Sequence, residues 1–422
     1  MKKYFTKLLF LLIVFCSTII VIGQNKSEKH IIEHRENAKN QLDKPYVVLI
    51  SIDGFRFDYT QRFKTAFIDQ FAKQGVSAPY MLTCYPSATF ANHYSIVTGL
   101  YPSHHGVVGN NMYDANTNEN YSIRNPQAVK DSKWYGGTPL WVLAEEQGML
   151  SACYFWPGSE ADIKQTRPTY YYDYNETVTI NQRIDELVNW LELPKEKRPH
   201  LITFYLPEVD QAGHLFGPNS PITALAAQYI DLAVEKLVER LSETGLPINF
   251  IILSDHGMLA LSQEKLLSLP TLLDNQEINV VENGSYLSVF VKDKKHVGTW
   301  FDKLVANVNL ATMNVYMKDD LPANYHFSTK DDYFNRIGDI LITAKAPYYF
   351  TKTRAAGGHG YDPLEVKEMQ AMFMAKGVNI KSGIELQPFE NIDVYPFVAS
   401  LLGLKINEKI DGSNYLINNA TK

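Results

Sequence analysis

Three apolar runs in this chain each end in an aspartate: residues 46–55 (YVVLISIDGF), 201–210 (LITFYLPEVD) and 248–257 (INFIILSDHG). Runs of β-branched and aromatic residues without polar alternation have no face to offer water, so each predicts a strand buried on both sides. Helical stretches lie between them. The clearest is predicted to start at Ser220, with Pro221 in the first turn, to continue through ITALAAQYIDLAVEKLVERL and to stop at Gly245. Strands alternating with helices predict an α/β fold, a mainly parallel sheet with helices on both faces and inserted loops. Ligands of such sheets sit beyond the strand carboxyl ends, where Asp53, Asp210 and Asp255 fall.

The rest of the chain sets bounds on this reading. Its 422 residues are 45% hydrophobic and 20% charged, enough for a large core and unlike a disordered chain or a disulfide miniprotein. A formal net charge of -6 argues against a nucleic-acid-binding surface, which must be basic to neutralise phosphates. A nucleotide substrate is still allowed, because a metal site reverses the local field. Lys2, Lys3 and Lys7 precede an apolar run from Leu8 to Ile22 that closes with Gly23, so residues 1–23 are expected to be a secretory signal peptide. The protein is then expected to be exported, periplasmic or secreted, with no membrane span in the mature chain. Residues 24–43 read as a polar linker or frayed helix. Residues 108–135, with six asparagines, read as a long surface loop. Residues 280–291 read as a hairpin with a type I′ turn at Asn283-Gly284. Cys84 and Cys153 are either a pair or two buried thiols.

Chemistry concentrates in three places. His214 follows Asp210 by four, a spacing that puts both on one side of a helical turn. Asp255 and His256 adjoin at a strand end, and His359 lies in the glycine-rich stretch RAAGGHGYD. Three carboxylates and three imidazoles are the oxygen and nitrogen ligands zinc prefers. Shared between two ions, they leave room for substrate, the pattern of a two-metal hydrolase. The remaining histidines, His93 and His105 among them, read as ordinary core or surface residues. A nucleophile is expected in residues 85–106 (YPSATFANHYSIVTGLYPSHHG), where Ser87 and Thr89 are candidates. Thr89 also reads as a helix cap, and a cap faces the positive end of the helix dipole, where an alkoxide or phosphate is stabilised.

The stretches LISIDGFRFDY, YPSATFANHYSIVTGLYPSHHGVVGNNMYD, FWPGSE, YLPEVDQAGHLFGP, LSDHGM, GGHGYDP and PFENIDVYPFVASLLGL occur in that order. With them the chain resembles the nucleotide pyrophosphatase/phosphodiesterase family of the alkaline phosphatase superfamily, from about residue 46 to residue 404. The resemblance implies an alkaline-phosphatase-like catalytic domain over residues 44–418 and two zinc ions per chain. It implies Thr89 as a nucleophile that forms a covalent intermediate, with Asp53, Thr89, Asp255 and His256 around one zinc and Asp210, His214 and His359 around the other. By the same resemblance Asn110 donates to a phosphoryl oxygen, and Phe90 and Tyr205 hold a nucleobase. The implied substrate is a nucleotide or other phosphodiester small molecule. The sequence departs from the common pattern at Ala88, where many members have lysine, at Ala91 and at Val209, where many have proline. Alternatives are a choline-phosphodiester or lysophospholipid phosphodiesterase, a phosphate monoesterase using Lys164 and Arg167, and a secreted binding protein with a decayed site.

Overall fold

The computed structural model describes residues 28–422; the expected signal segment and residues 24–27 lie outside the described residues. Alternate residues of the strand Tyr46–Ile52 enter different cores: Val47 and Leu49 join one cluster, Val48 and Ile50 the other. A strand covered on both faces has no use for polar alternation, which is why its sequence is a continuous apolar run. It lies inside a nine-stranded sheet. Five neighbours, Tyr170–Tyr172, Ser151–Tyr154, Leu201–Leu206, Tyr46–Ile52 and Ile248–Leu253, run parallel in that order. Phe373–Gly377 then adds antiparallel. Helices Ile180–Glu192 and Pro221–Ser242 cover one face, and Thr89–Thr98 and Val394–Leu402 the other. The expected mainly parallel α/β architecture is the one observed.

Local signals set several boundaries. Ser220 is the N-cap of Pro221–Ser242, its hydroxyl accepting the Thr223 amide at 3.1 Å, which satisfies a donor the helix cannot. Residues 29–31, expected within a linker, instead form an edge strand antiparallel to Tyr170–Tyr172. The Asn37 side chain also holds residues 150, 195 and 198. Polar composition misled here, because an edge strand and an asparagine that bridges backbone groups need little apolar surface. The asparagine-rich stretch 108–135 is likewise more ordered than a loop. It contains the hairpin Asn111–Asp114 with Glu119–Ser122, and Asn125 caps a short helix.

Between the strand Ile248–Leu253 and His359 the chain builds a second, four-stranded antiparallel sheet with its own core around Leu287, Trp300 and Ile342. The expected hairpin is part of it, Ile278–Glu282 pairing with Tyr286–Val291. Its two-residue turn is Gly284-Ser285, not Asn283-Gly284. The positive φ, +73°, falls on Gly284, the first central position, which is the type II′ pattern and not I′. Asn283 is thereby released to bind the 108–111 segment. Its Oδ1 accepts the Asn111 amide at 2.9 Å, its Nδ2 donates to the Asn111 carbonyl at 3.0 Å, and the Tyr286 hydroxyl donates to the Val108 carbonyl at 2.7 Å.

Candidate active site

The three aspartates meet beyond the carboxyl end of the parallel strands. Asp53 directly follows the strand Tyr46–Ile52, Asp255 follows Ile248–Leu253, and Asp210 lies in the first turn of the helix Glu208–Phe216. Gly54 makes this convergence possible. Its φ is +67°, and a Cβ there would lie 2.9 Å from both Cα and Cβ of Asp210; only glycine meets both demands. Its amide donates to Asp255 Oδ1 at 3.2 Å. Each aspartate keeps one buried oxygen with no hydrogen-bond partner: Asp53 Oδ1, Asp210 Oδ1 and Asp255 Oδ2.

The imidazoles supply the complement. His214 Nδ1 lies 2.9 Å from the Gly357 carbonyl, His256 Nδ1 2.9 Å from the Gly257 carbonyl and His359 Nδ1 2.8 Å from the Ser87 carbonyl. A carbonyl only accepts, so each Nδ1 carries the proton and each Nε2 presents a lone pair. His256 Nε2 faces Asp255 Oδ2 at 3.1 Å and Asp53 Oδ1 at 3.4 Å. His214 Nε2 faces His359 Nε2 at 3.1 Å, and Asp210 Oδ1 lies 3.5 and 3.9 Å from them. Lone pairs aimed at lone pairs and at unpartnered carboxylate oxygens are repulsive unless a cation stands between them. The donor atoms form two groups, Asp53–Asp255–His256 and Asp210–His214–His359, of the oxygen and nitrogen type that suits zinc. The residues fit the metal the sequence implied.

Electrostatics agree. Burial, followed by the charges of Asp255 and Asp210, pushes the Asp53 carboxyl well above the usual range, and burial does the same to Asp255. Burial, then His359, holds His256 well below the ordinary imidazole value, and burial, then His214, lowers His359 to about 4. Two carboxyls resisting charge beside imidazoles resisting protonation make a site without its own countercharge; an added cation would favour the ionised carboxylates and keep the imidazoles neutral, the form of each that binds a metal.

Thr89 is the first residue of the helix Thr89–Thr98, with Ala88 at the cap position. Its Oγ1 makes no cap bond and instead lies 3.1 Å from His256 Nε2. Ser87, the other candidate, has its hydroxyl committed to Thr83 and to the Tyr361 carbonyl, each at 2.8 Å. Asn110 Oδ1 accepts the Phe90 amide at 3.1 Å, so the Asn110 amide nitrogen is the end left for a ligand.

Tyr205 differs from expectation. Its ring is buried, and its hydroxyl donates to Asp53 Oδ2 at 2.5 Å, which makes it a support for a carboxylate and not a platform for a base. The accessible aromatic beside it is Tyr174, 42% exposed, with its ring 6.1 Å from that of Tyr205. His93, read as ordinary, is fully buried beneath the site. Its Nδ1 donates to the Thr89 carbonyl at 2.9 Å and lies 3.2 Å from Asp255 Oδ2, while Nε2 meets Ser51 Oγ at 2.8 Å. Its position four residues after Thr89 was the available signal. Lys164 is held by Thr138 and Glu408, and Arg167 by Asp162 and the Glu160 carbonyl, so the monoesterase cations are engaged elsewhere. Cys84 and Cys153 are separate buried thiols. A further acidic group, Glu28, His30 and Asp173, already holds the Lys130 ammonium, 2.6 Å from Asp173.

A mainly parallel sheet with buried carboxylates and imidazoles gathered at its carboxyl edge around a threonine defines an alkaline-phosphatase-like α/β protein. Residues 47–362 match the family described as type I phosphodiesterase / nucleotide pyrophosphatase. The chain is 36% identical over 388 residues to venom phosphodiesterase 2 of Crotalus adamanteus, covering 88% of this chain and 47% of that protein. It is 34% identical over 377 residues to an uncharacterized pyrophosphatase/phosphodiesterase of Schizosaccharomyces pombe, covering 85% and 77%. Murine ectonucleotide pyrophosphatase/phosphodiesterase 5, solved as an inactive threonine-to-alanine variant in complex with AMP, superposes with a TM-score of 0.82 at 28% identity, covering 90% of this chain and 100% of that one. The chain belongs to the type I phosphodiesterase / nucleotide pyrophosphatase family. It spans about half the length of the venom phosphodiesterase.

Proposed function

We propose that this protein is an exported two-zinc phosphodiesterase that hydrolyses phosphodiester or pyrophosphate bonds of nucleotides through a covalent intermediate on Thr89. The observation that carries the reading is the gathering of three Nε2 lone pairs and three unpartnered carboxylate oxygens into two groups, joined by the stacked rings of His256 and His359, with the Thr89 hydroxyl against His256 Nε2. Asp53, Asp255 and His256, with Thr89, would hold one zinc, and Asp210, His214 and His359 the other. When bound, the ions supply Lewis acidity at the phosphoryl group and lower the pKa of a coordinated hydroxyl.

The chain's own groups do the rest. Thr89 Oγ1 gives its proton to solvent and attacks phosphorus while the bond to the departing oxygen breaks and that oxygen takes up a proton from solvent; water then displaces Thr89 Oγ1 from phosphorus and restores its hydroxyl. Asn110, with Oδ1 fixed by the Phe90 amide, offers its side-chain N–H to a nonbridging oxygen as charge grows there. His93 holds the Thr89 carbonyl, and Tyr205 holds Asp53, so nucleophile and carboxylate are oriented before substrate arrives. Phe90 and Tyr174 are the proposed contacts for a base. The murine relative's AMP complex and its inactivation by a threonine-to-alanine change support a nucleotide ligand and a threonine nucleophile. The described residues contain no helix long and apolar enough to cross a membrane, and the basic, apolar N-terminus supports export.

The test is a hydrolysis panel with metal analysis on purified protein: a nucleotide diester, a nucleotide monoester and a choline phosphodiester. About two zinc ions per chain and a preference for the nucleotide diester are expected. One ion or fewer with activity intact under a strong chelator would overturn the two-zinc reading, and a choline-diester preference would move the substrate class.

A further inference from the structure

The helix Pro221–Ser242 is fixed to the body by one face and bare on the other. Ala227, Ile230, Val234, Leu237 and Leu241 are buried against the sheet-covering core. On the outer face Ile222, Leu225, Tyr229 and Leu232 stand in water, joined by Leu215 and Phe216 from the preceding helix, with exposures from 45% to 72%. Single exposed apolar residues are ordinary, but a contiguous row is not. The spacing of the row, three, four, three, is that of a coiled-coil seam: it keeps the four side chains on one stripe of the helix, the shape against which another helix packs.

We propose that this seam pairs with the same helix of a second copy of the chain, antiparallel about a two-fold axis that passes between Leu225 and Tyr229. In that register Ile222 faces Leu232 of the partner subunit and Leu225 faces Tyr229 of the partner subunit, so all four positions are filled twice by one symmetric contact. Opposed helix dipoles favour this direction over parallel pairing. Aromatic side chains carry roughly 150 to 250 Å² each and large aliphatic ones somewhat less, so the six residues, about half exposed or more, offer on the order of 500 to 600 Å² per protomer, near the ~600 Å² per partner at the lower end of stable interfaces. A lipid surface fits less well, because interfacial helices border their apolar face with lysine and arginine. Here the helix supplies Lys236 and Arg240, held by Asn181 and Asp185, with Glu235 and Glu239 beside them.

Sedimentation velocity and light scattering on protein expressed from the full sequence test the pairing. Wild type is expected at twice the chain mass at micromolar concentration. The double variant Leu225→Glu with Leu232→Glu is expected at the single-chain mass, with its melting temperature and small-diester hydrolysis unchanged, since neither residue touches the site. Should the glutamates impair folding, Leu225→Gln with Leu232→Gln serves the same purpose. Under mild oxidant the pair Leu225→Cys with Tyr229→Cys should give a covalent dimer and Leu225→Cys alone should not; the reverse result would overturn the antiparallel register. A wild type that stays at the single-chain mass, a dimer that survives the double variant, or a monomer that co-floats with anionic vesicles through Leu225 and Leu232 would overturn the proposal.

Discussion

Replacing Tyr205 by phenylalanine separates two roles for one ring. The aromatic face and the packing remain, and what disappears is the hydroxyl that donates to Asp53 Oδ2 at 2.5 Å. Asp53 Oδ1 already lacks a partner within the protein, so the variant leaves a buried carboxylate with neither oxygen held. A hydrogen bond to a charged group contributes about 1.5 to 3 kcal/mol, which converts to roughly a tenfold to hundredfold loss of zinc affinity at ~1.4 kcal/mol per decade. That range agrees with the ~10- to 100-fold effects of losing an outer-shell partner. Competition with a fluorescent chelator on metal-free protein measures it directly. Hydrolysis at limiting zinc should fall to the same degree for a nucleotide diester and for a methyl phosphodiester, and excess zinc should restore both. Unchanged zinc affinity, or a loss confined to the nucleotide, would refute the assignment and return Tyr205 to the role of base platform.

Thr89→Ala should keep its fold and at least most of its zinc while losing nearly all turnover, with Thr89→Ser partly active; diester hydrolysis within tenfold of wild type would point to direct attack by water. Tyr174→Ala should lower kcat/KM for a nucleotide diester about fivefold to over a hundredfold, from ~1 to 3 kcal/mol of stacking, and leave a methyl phosphodiester nearly untouched. Gly54→Ala should lose metal and activity together, because the added Cβ meets Asp210 at 2.9 Å and the φ of +67° is unfavourable to alanine, as metal titration and hydrolysis would show. Burial lowers His105 to about 3 from an ordinary 6.5, so the unfolded chain binds the proton first. Its contribution is complete above pH 6.5 and declines as the pH falls toward 3, by roughly 2 kcal/mol between pH 7 and pH 5. Urea unfolding of metal-free protein at both pH values should show that slope reduced in His105→Gln.

The donor set was legible because each donor lies in a short motif whose local geometry follows from its sequence. An aspartate ending an apolar strand must emerge at the sheet's carboxyl edge, and an Asp–His spacing of four fixes one helical face. What escaped depends on contacts distant in sequence. His93 matters through Asp255, 162 residues away, and Asn283 through Asn111, 172 residues away. Tyr205 was misread for a different reason. A residue close in sequence to a metal ligand is close in space, but on a strand covered on both faces closeness does not bring exposure, and the open ring belongs to Tyr174 in another segment. The edge strand at residues 29–31 was hidden by its polar composition, which suits a sheet margin as well as it suits a linker.

The second sheet bears on how substrate comes and goes. The insertion that carries it starts from a short strand pair that joins Leu259, three residues after His256, to Gly358, one residue before His359, while the second sheet's turn is hydrogen-bonded across to Val108 and Asn111 beside Asn110. An insertion joined at both ends near candidate ligands, and pinned at its turn to the loop that carries Asn110, is tied down at three points. A hinged lid that closes in microseconds to milliseconds is then not expected from this insertion. Stiffening the inserted sheet should accordingly leave turnover unchanged.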